Sequence, residues 1–402
     1  MEDLVIIGGG PAGIMAAITA SANKKVVLLD KNPSLGKKIL ASGNGKCNIT
    51  NAILEEDKYC GDKVFLKKVF AELDNMKLMK YFEKRGVMLK VEGFGRVLPV
   101  TETSASIMDC LSDELLSNNI AVRYAEQVLE INKNNEGFTV TTGRGSYETK
   151  NVLISTGSPA YPQMGATADG YKFAEKFGHT IIPLRPAIVP LELNGNWFHK
   201  LQGVRVEAEL LIYTKGKEKI YNGELLFTKY GISGPLTLDA ALYITDELKN
   251  NAEVFINFLP VLKEFGVAAL SAAWDYRPEK PVFTFLSGFL PKKIALILLP
   301  LLGVDLAKKC KELTLKEREN IISALLKWPI QVKGPKSYKE AMAIAGGVST
   351  AEIDVKTMES KKVPGLYFAG EVLDITGESG GYNMQFAFSS GYIAGKAIKN
   401  KN

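Results

Sequence analysis

Short apolar runs, glycine-rich turns and segments of helical spacing follow one another from the start of the chain. Residues 5–7 form an apolar run that breaks into three glycines, and small apolar residues follow as far as Ile18. This order predicts a buried strand, a tight turn and a helix. A second apolar run at 26–29 predicts another strand, so the chain begins as a βαβ unit.

The pattern changes twice further along the chain. Alternating residues between 121 and 149 predict a small antiparallel meander, which leads into an apolar strand ending at Thr156 and Gly157. From about Pro186, short strands separated by turns predict a β-rich insert. Helical spacings follow at 262–273, 282–287, 291–302 and 315–326 and predict a small helical lobe. No second glycine motif follows residue 157, so a separate NAD(P) domain of the usual form is not expected.

The first glycines carry a motif with a chemical meaning. Residues 8–13 have G-x-G-x-x-G spacing, in which the first glycine permits the turn, the second admits a pyrophosphate and the third lets helix pack on strand. Asp30 ends the second strand, where a carboxylate can accept both ribose hydroxyls. The pattern favours a dinucleotide site over an ordinary βαβ turn. The predicted contacts here are Gly8, Gly10, Pro11, Ala12, Gly13 and Asp30.

The segment at 31–51 is rich in glycine, asparagine and lysine and lacks apolar periodicity, which predicts an ordered loop. Its lysines and backbone N–H groups suit a diphosphate and the polar edge of a flavin. A solvated surface loop is the alternative, and the position directly after Asp30 favours the cofactor. The predicted contacts in this segment are Lys31, Lys37, Lys38, Ser42, Gly43, Asn44 and Gly45.

The C-terminal stretch has the matching features. Residues 365–371 predict a buried strand that ends in a glycine and an acid, and glycines at 377–381 lead into a helix that runs to about Ile398. The helix N-terminus would favour the negative charge that collects on a reduced flavin. An ordinary connection to a C-terminal helix is the alternative. The remaining predicted contacts are Val128, Gly157, Gly370, Glu371, Gly380, Gly381, Tyr382 and Asn383.

Composition excludes several other classes. The 402 residues carry a net charge of +6, with no block of like charges, so nucleic-acid binding is permitted but not indicated. The start of the chain does not match a signal peptide, and the longest apolar run, at 294–302, is too short to span a bilayer. We therefore expect a cytoplasmic protein with no membrane or nucleic-acid partner.

Cysteine and histidine are too few and too scattered for most protein-borne chemistry. The four cysteines lack C-x-x-C spacing, and the chain has only two histidines. A metal site, a dithiol pair and a Ser-His-Asp triad are therefore not expected. Chemistry borrowed from a cofactor is the remaining expectation.

These stretches together resemble one family over nearly the whole chain. The segments that carry the resemblance are 36–51, 95–99, 185–191, 227–235, 345–348 and 368–391. They are similar to the BaiN/YhiN-like, aminoacetone-oxidase-type family of FAD-dependent oxidoreductases. The resemblance implies an α/β fold with a Rossmann-like FAD-binding domain of the two-dinucleotide-binding-flavoprotein type. An inserted β-barrel-like domain would carry a small helical domain.

The resemblance also implies domain boundaries and exposes one departure. The FAD-binding domain would span 1–186 and 341–402, the β-rich domain 187–255 and 327–340, and the helical domain 256–326. Lys229 stands where such proteins commonly have histidine, so an imidazole acid–base role at that position is in doubt.

The function predicted from these features is hydride transfer between bound FAD and a small organic substrate or NAD(P)H. No side chain is assigned as a catalytic base. Cys47 could lie near the flavin and Arg96 could anchor an anionic substrate, but a buried small residue and a surface ion pair are the more ordinary roles. An FAD-containing tRNA-modifying protein and a flavin redox sensor without turnover stay open as alternatives, and so do the oligomeric state and the substrate.

Overall fold

The computed structural model describes residues 1–262 and 266–401. The chain divides into two compact units. The first joins Met1–Arg185 to Met342–Asn402, and the second is Pro186–Ala341. The first unit is therefore built from both ends of the chain and the second from its middle. The predicted further division of the middle into a β-rich and a helical domain stays a prediction.

The strands follow the apolar runs closely. In chain order they are β1 (Glu2–Ile7), β2 (Val26–Leu29), β3 (Thr50–Asn51), β4 (Tyr59–Gly61), β5 (Leu89–Val91), β6 (Arg96–Pro99), β7 (Ala121–Arg123), β8 (Val128–Lys133), β9 (Phe138–Thr142), β10 (Gly145–Ile154), β11 (Ile181–Ala187), β12 (Leu191–Leu193), β13 (Arg205–Thr214), β14 (Lys217–Thr228), β15 (Gly231–Ser233), β16 (Glu253–Asn257), β17 (Trp328–Ile330), β18 (Val332–Pro335), β19 (Ala343–Val348), β20 (Leu366–Phe368) and β21 (Ile375–Gly377).

Most of the described α-helices begin after a glycine or a capping side chain. They are α1 (Pro11–Ala20), α2 (Lys37–Ala41), α3 (Lys63–Glu72), α4 (Asn75–Glu83), α5 (Ala105–Ser117), α6 (Asp169–Lys176), α7 (Pro235–Glu247), α8 (Val267–Asp275), α9 (Val282–Leu286), α10 (Lys292–Leu301), α11 (Leu315–Leu326) and α12 (Tyr382–Lys399). Asp62, for example, accepts the N–H groups of Val64 and Phe65 at the start of α3.

A parallel sheet forms the centre of the first unit. Its strands pair in the order β7-β2-β1-β10, and β20 pairs with β10 in parallel as well. The last four residues of β1 and all of β2 are buried, as expected for strands covered on both faces. The first half of β10 instead pairs antiparallel with β9, and β9 pairs with β8. The long strand β10 therefore carries the predicted meander back into the main sheet.

The second unit contains a seven-stranded sheet in the order β17-β16-β13-β14-β15-β12-β18. All six pairings of neighbouring strands in this sheet are antiparallel, and β13 and β14 form its longest hairpin. Helices α8 to α11 follow β16 in the chain, at the predicted helical spacings. The prediction for 262–273 falls partly on residues 263–265, which lie outside the described residues.

Two local predictions are wrong. Residues 37–41 form the short helix α2 within the segment predicted as a loop, because Ile39 turns inward and is fully buried. Strand β7 was expected in the antiparallel meander but pairs in parallel with β2. Alternation of apolar residues shows that a strand has one buried face, but it does not show the direction of the neighbouring strand. Within the part of the chain that the structure describes, no helix combines the length and apolarity needed to cross a membrane.

Candidate cofactor site

Four loops of the first unit meet at one edge of its sheet. Strands β1, β2, β10 and β20 run in parallel, so the residues that follow them all leave the sheet at its carboxyl edge. These are the segments beginning at Gly8, Asp30, Ser155 and Ala369. Ligands of open α/β sheets bind at this edge. Each of these four segments contains residues that the sequence predicts to contact the cofactor, and the topology brings them to one edge.

Each glycine of the first motif has its own geometric requirement. Gly8 has φ +107°, and a Cβ there would lie 2.6 Å from the carbonyl oxygen of Ser155. A Cβ on Gly13 would lie 2.0 Å from the carbonyl oxygen of Gly8, so this glycine lets the helix pack on the strand. A Cβ on Gly10 would meet no atom within 4 Å. Gly10 therefore faces open space, where a ligand can approach the backbone.

The N-terminus of α1 is free of competing groups. Its N-cap is Gly10, no side chain caps it, and its first turn contains no acidic residue. The first N–H groups of a helix have no intrahelical acceptor, and they carry the positive end of the helix dipole. Pro11 at the first position removes one of these donors and leaves those of Ala12 and Gly13. This end suits a phosphate.

Asp30 holds the glycine loop in place. Its Oδ2 accepts the N–H of Gly9 at 2.8 Å, and its Oδ1 accepts the N–H of Asn32 at 2.7 Å. A carboxylate offers about four acceptor positions, so some stay available for ribose hydroxyls. The carbonyl of Asp30 accepts the N–H of Glu126, two residues before Val128. The side chain of Val128 is buried, so any contact of this residue with a ligand would come from its backbone.

An ion pair crosses the carboxyl edge of the sheet. The Nζ of Lys38, on α2, lies 2.9 Å from Oε2 of Glu371, which follows β20. A Cβ on Gly157, which follows β10, would lie 3.9 Å from both charged groups. Three of the predicted residues are therefore neighbours, although they are far apart in sequence. The backbone N–H of Ile344 donates to the other oxygen of Glu371 at 3.3 Å.

The other two predicted lysines pair with side chains nearby, and Nζ of Lys31 lies 3.7 Å from Oδ2 of Asp169. Lys31 donates to Oγ1 of Thr167 at 2.6 Å, and burial lowers the pKa of its ammonium group. Lys37 donates to Oδ1 of Asn32 at 3.1 Å. Both lysines therefore stay beside the loop that follows Asp30.

The turn at 42–45 is tightly folded and buries one thiol. Gly43 and Asn44 have left-handed backbone angles, and Gly45 has φ +86° with open space in the Cβ direction. Ser42 accepts the N–H of Cys47 at its carbonyl, at 3.0 Å. The Cys47 side chain is fully buried, which raises the pKa of its thiol to about 12. A protonated, buried thiol is a poor nucleophile, which argues against redox chemistry at Cys47.

The N-terminus of α12 is also free of a side-chain cap and of acidic residues in its first turn. Gly381 precedes it with φ +110°, and a Cβ there would lie 2.2 Å from the carbonyl oxygen of Thr50. The amide of Asn383 is committed to the backbone of Gly377, with its Oδ1 accepting at 2.8 Å and its Nδ2 donating at 2.9 Å. Tyr59 donates its hydroxyl to the carbonyl of Tyr382. Side chains thus brace this turn, and the free backbone N–H groups are what a ligand could contact.

Helices α1 and α12 pack directly on each other through glycines that sequence reasoning missed. A Cβ on Gly391 would lie 2.2 Å from the carbonyl oxygen of Ala12, and one on Gly395 would lie 2.6 Å from that of Ala16. A Cβ on Gly370 would lie 2.9 Å from the Cβ of Ala12. The four-residue spacing of the two helix glycines was a signal for this close approach.

Arg96 and Lys229 have different surroundings. Arg96 donates from Nε to the carbonyl of Gly93 at 3.1 Å, and among the described residues no carboxylate pairs with it. The surface ion pair considered for Arg96 is therefore not what the described residues show. Lys229 is exposed, in the turn between β14 and β15 of the second unit. An acid–base role for Lys229 stays in doubt.

A buried Ser–His–Glu arrangement lies outside this site. Nε2 of His179 is 2.8 Å from Oγ of Ser360, and its Nδ1 is 3.1 Å from Glu352. The Ser360 oxygen also accepts two backbone N–H groups, from Lys362 and Val363, and the side chain is buried. An oxygen used in this way has no approach for a substrate. The hydrogen bonds of Ser360 and His179 therefore hold the surrounding backbone in place.

The first unit has the features that FAD requires of a protein. The backbone is open at Gly10, and α1 and α12 both present uncapped N-termini without acidic residues. Asp30 lies one strand away from Gly10, at the place of a ribose-binding acid. These features fit a diphosphate, a ribose and the polar pyrimidine edge of a flavin, where negative charge collects on reduction.

Comparison with known proteins gives the same assignment. The family model described as "HI0933-like protein Rossmann domain" matches residues 2–397. The chain belongs to this family. The predicted resemblance and the Rossmann-like FAD-binding fold are thereby confirmed, and so is the general class of FAD-dependent oxidoreductase. Cofactor contacts by individual residues, the electron donor and the substrate stay predictions.

Relatives and solved structures of several activities are similar to this chain. "Ribosomal RNA dihydrouridine synthase" of Escherichia coli (strain K12) is 34% identical over 98% of both chains. "3-Dehydro-bile acid delta(4,6)-reductase" of Clostridium scindens is 32% identical over the full length of both. A 3-ketosteroid-delta4-(5alpha)-dehydrogenase from Rhodococcus jostii RHA1 has a TM-score of 0.52 at 13% identity, covering 100% of this chain and 97% of that one. The last likeness shows the fold alone.

Proposed function

We propose that this protein is an FAD-dependent reductase that adds a hydride to a ring carbon–carbon double bond conjugated with a carbonyl group. NAD(P)H is the proposed electron donor, docked without a domain of its own. The observation that carries the proposal is the open backbone at Gly10, at the uncapped N-terminus of α1, together with the uncapped N-terminus of α12 in the same unit. That arrangement supports FAD binding, and bound FAD supplies hydride chemistry.

Different residues of the first unit would bind different parts of the cofactor. Backbone N–H groups at the start of α1 would bind the diphosphate, and Asp30 would accept the ribose hydroxyls. Glu371, fixed by Lys38, would meet the ribityl chain. The N-terminus of α12 would stabilise negative charge at the pyrimidine edge, by about 0.3–2 kcal/mol.

The substrate class comes from what the names of two relatives share. Dihydrouridine is uridine with its ring double bond saturated, and that bond is conjugated with a carbonyl. A 3-dehydro bile acid carries a ketone, and the name of that relative specifies reduction at the 4,6 double bonds. Both names describe saturation of such a bond in a ring. We therefore propose the same chemistry for this chain, with a free cyclic enone as the substrate.

An anaerobic reduction experiment tests the proposal. Purified protein should be yellow and contain about one FAD, and NADH or NADPH should bleach it in the absence of oxygen. A cyclic enone such as a 3-keto-Δ4 steroid should then restore the flavin colour and gain two hydrogen atoms, detected by mass spectrometry. Colourless protein that takes up no added FAD would refute the proposal. If neither a cyclic enone nor uracil reoxidises the reduced protein, the proposed substrate class is wrong and only the general class of FAD-dependent oxidoreductase stands.

Uracil within ribosomal RNA is a second candidate substrate. Two relatives that match nearly the whole chain carry the name ribosomal RNA dihydrouridine synthase, at 34% and 31% identity. Reoxidation by a uracil-containing rRNA fragment, with loss of uracil absorbance, would favour this candidate over a free enone. Binding to RNA should also weaken as salt is raised. Neither tRNA modification nor a redox sensor without turnover is favoured by the relatives.

A further inference from the structure

The turn formed by residues 93–96 is fastened to the N-terminus of α12. Nδ2 of Asn51 donates to the carbonyl of Phe94 at 3.0 Å and to the carbonyl of Gly380 at 3.1 Å. The Cγ of Arg96 lies 3.5 Å from the position that a Cβ on Gly380 would take. One amide therefore holds this turn beside the helix end proposed to face the flavin.

Phe94 combines an unfavourable backbone conformation with an exposed side chain in this turn. Its φ is +62°, in the left-handed region that residues with a Cβ adopt at a cost. Its side chain is 73% exposed, so it adds little to the core. Backbone outliers of this kind concentrate at functional sites. An exposed aromatic ring on a turn that hydrogen bonds hold in place can serve as a stacking surface for a ligand.

Arg96 adds charge to the same turn. Among the described residues its guanidinium donates only to the carbonyl of Gly93, through Nε, and it has no carboxylate partner. The two terminal nitrogens therefore have donors to offer. Lysines elsewhere in the first unit, such as Lys46 and Lys90, pair with acidic side chains. A half-buried arginine without such a partner can instead bind an oxygen of a ligand.

We infer that Phe94 and Arg96 hold the substrate of the proposed reaction, with the phenyl ring on the face of the substrate ring and the guanidinium on its carbonyl oxygen. This inference depends on the proposed function and adds to it the residues that select a planar ring bearing a conjugated carbonyl. Asn51 is the positioning residue, because it fixes the turn relative to α12.

The chemistry gives Arg96 a role in the rate as well as in binding. When FAD is bound and reduced, a hydride would add to the substrate carbon β to the carbonyl. The electron pair of the double bond would then form a double bond from the α carbon to the carbonyl carbon, and the carbonyl π pair would move to the oxygen. The guanidinium would stabilise the negative charge on that oxygen. A proton from water then joins the α carbon, so the substrate gains a hydride and a proton in total. NAD(P)H supplies the two electrons that are lost from the cofactor.

Phe94 is tested by binding to the oxidised holoprotein. The variants are Phe94→Ala and Phe94→Tyr, and Leu116→Ala is the matched control, since Leu116 is 77% exposed on α5. The probes are a 3-keto-Δ4 steroid and a uracil-containing oligoribonucleotide, each titrated by the change in flavin absorbance. Phe94→Ala should weaken the Kd of the responding probe about 5- to 100-fold, and Phe94→Tyr should keep it. FAD content and the melting temperature of the apoprotein should stay close to the wild-type values.

Arg96 is tested by the reoxidation rate of the reduced holoprotein. Arg96→Ala should slow reoxidation by the same probe about 100- to 1,000-fold, and Arg96→Lys should recover part of the loss. Reoxidation by ferricyanide, which needs no substrate contact, should keep its wild-type rate. A variant that lost FAD would change both rates together.

The outcomes separate this inference from the proposed function. If the wild-type protein binds and reduces a probe while Phe94→Ala matches Leu116→Ala and Arg96→Ala keeps the wild-type rate, the inference is wrong and the function stands. The same holds if Phe94→Ala changes only the melting temperature. If the wild-type protein responds to neither probe, the proposed function falls and the inference falls with it.

Discussion

Two glycines only three residues apart should respond to the same substitution in opposite ways. Gly10→Ala adds a methyl group in open space, at φ −84° and ψ −174°, which any residue adopts. Gly13→Ala puts a Cβ 2.0 Å from the carbonyl oxygen of Gly8 and 2.7 Å from Oγ of Ser155. Real Cβ atoms do not come this close to a backbone oxygen, so the helix must move away from the strand.

The two effects on the apoprotein can be given magnitudes. Overpacking of a tight contact costs about 1–3 kcal/mol of unfolding free energy, and Gly13→Ala should lie at the upper end because its neighbour is backbone. Gly10→Ala meets no clash and restricts the unfolded chain, which should stabilise the apoprotein by about 0.4–1 kcal/mol. For FAD the expectation is different, since a methyl group at Gly10 takes the space that the diphosphate needs. Gly10→Val should purify colourless.

Thermal unfolding of the deflavinated variants and their Kd for FAD together make the assay. The expected result is a Gly10→Ala apoprotein at least as stable as wild type that binds FAD more weakly, and a Gly13→Ala apoprotein that melts several degrees lower. If Gly10→Val purified with a full complement of FAD, the diphosphate would not lie at this helix end. A Gly13→Ala protein as stable as wild type would show that the contact of α1 with the sheet is looser than the structure gives.

Three further predictions concern buried or paired groups. Burial lowers the pKa of His179, so the unfolded state binds more protons below about pH 6.5, and the unfolding free energy should fall as the pH drops below that value. His179→Gln should flatten this dependence in melting curves taken between about pH 5 and 7, where Glu352 stays ionised. Because its thiol stays protonated, Cys47 should resist iodoacetamide at pH 8 in the native protein and react after denaturation. Peptide mass spectrometry would detect the labelled residue, and rapid labelling of the native protein would contradict its burial. Lys38→Met leaves Glu371 without its cation, so this variant should lower the unfolding free energy by about 1–3 kcal/mol and weaken FAD binding. An unchanged Kd for FAD would show that Lys38 does not belong to the cofactor site.

The parallel sheet and its first helix could be predicted because their signals are local. An apolar run followed by glycines at fixed spacing specifies a strand, a turn and a helix within twenty residues. The separate requirements at Gly8 and Gly13 then follow from that local geometry. The predicted meander failed only at β7, where the pairing partner, β2, is about a hundred residues away and leaves no trace in the strand's own pattern.

The surroundings of the site were harder to predict, because they depend on contacts between distant segments. Composition gave the segment at 31–51 no apolar period, yet residues 37–41 form a short helix in which the Ile39 side chain is buried. The amide of Asn51 joins two turns that lie far apart in sequence, and the residues of one turn give no signal that the other turn is its neighbour. Asn383 was predicted as a cofactor contact from its place after the glycines, but its amide is used by Gly377.

The contact between α1 and α12 explains why both ends of the chain are needed for one site. A single helix N-terminus is a weak anion site, and a glycine turn alone is common in proteins of many functions. Here Gly391 and Gly395 bring the backbone of α12 against the carbonyl groups of Ala12 and Ala16 in α1. The distance between the two uncapped helix ends is therefore set by backbone packing and does not depend on the flexible length of a loop. Because the same contact buries the centre of the first unit, the geometry offered to a dinucleotide and the stability of that unit depend on the same glycines.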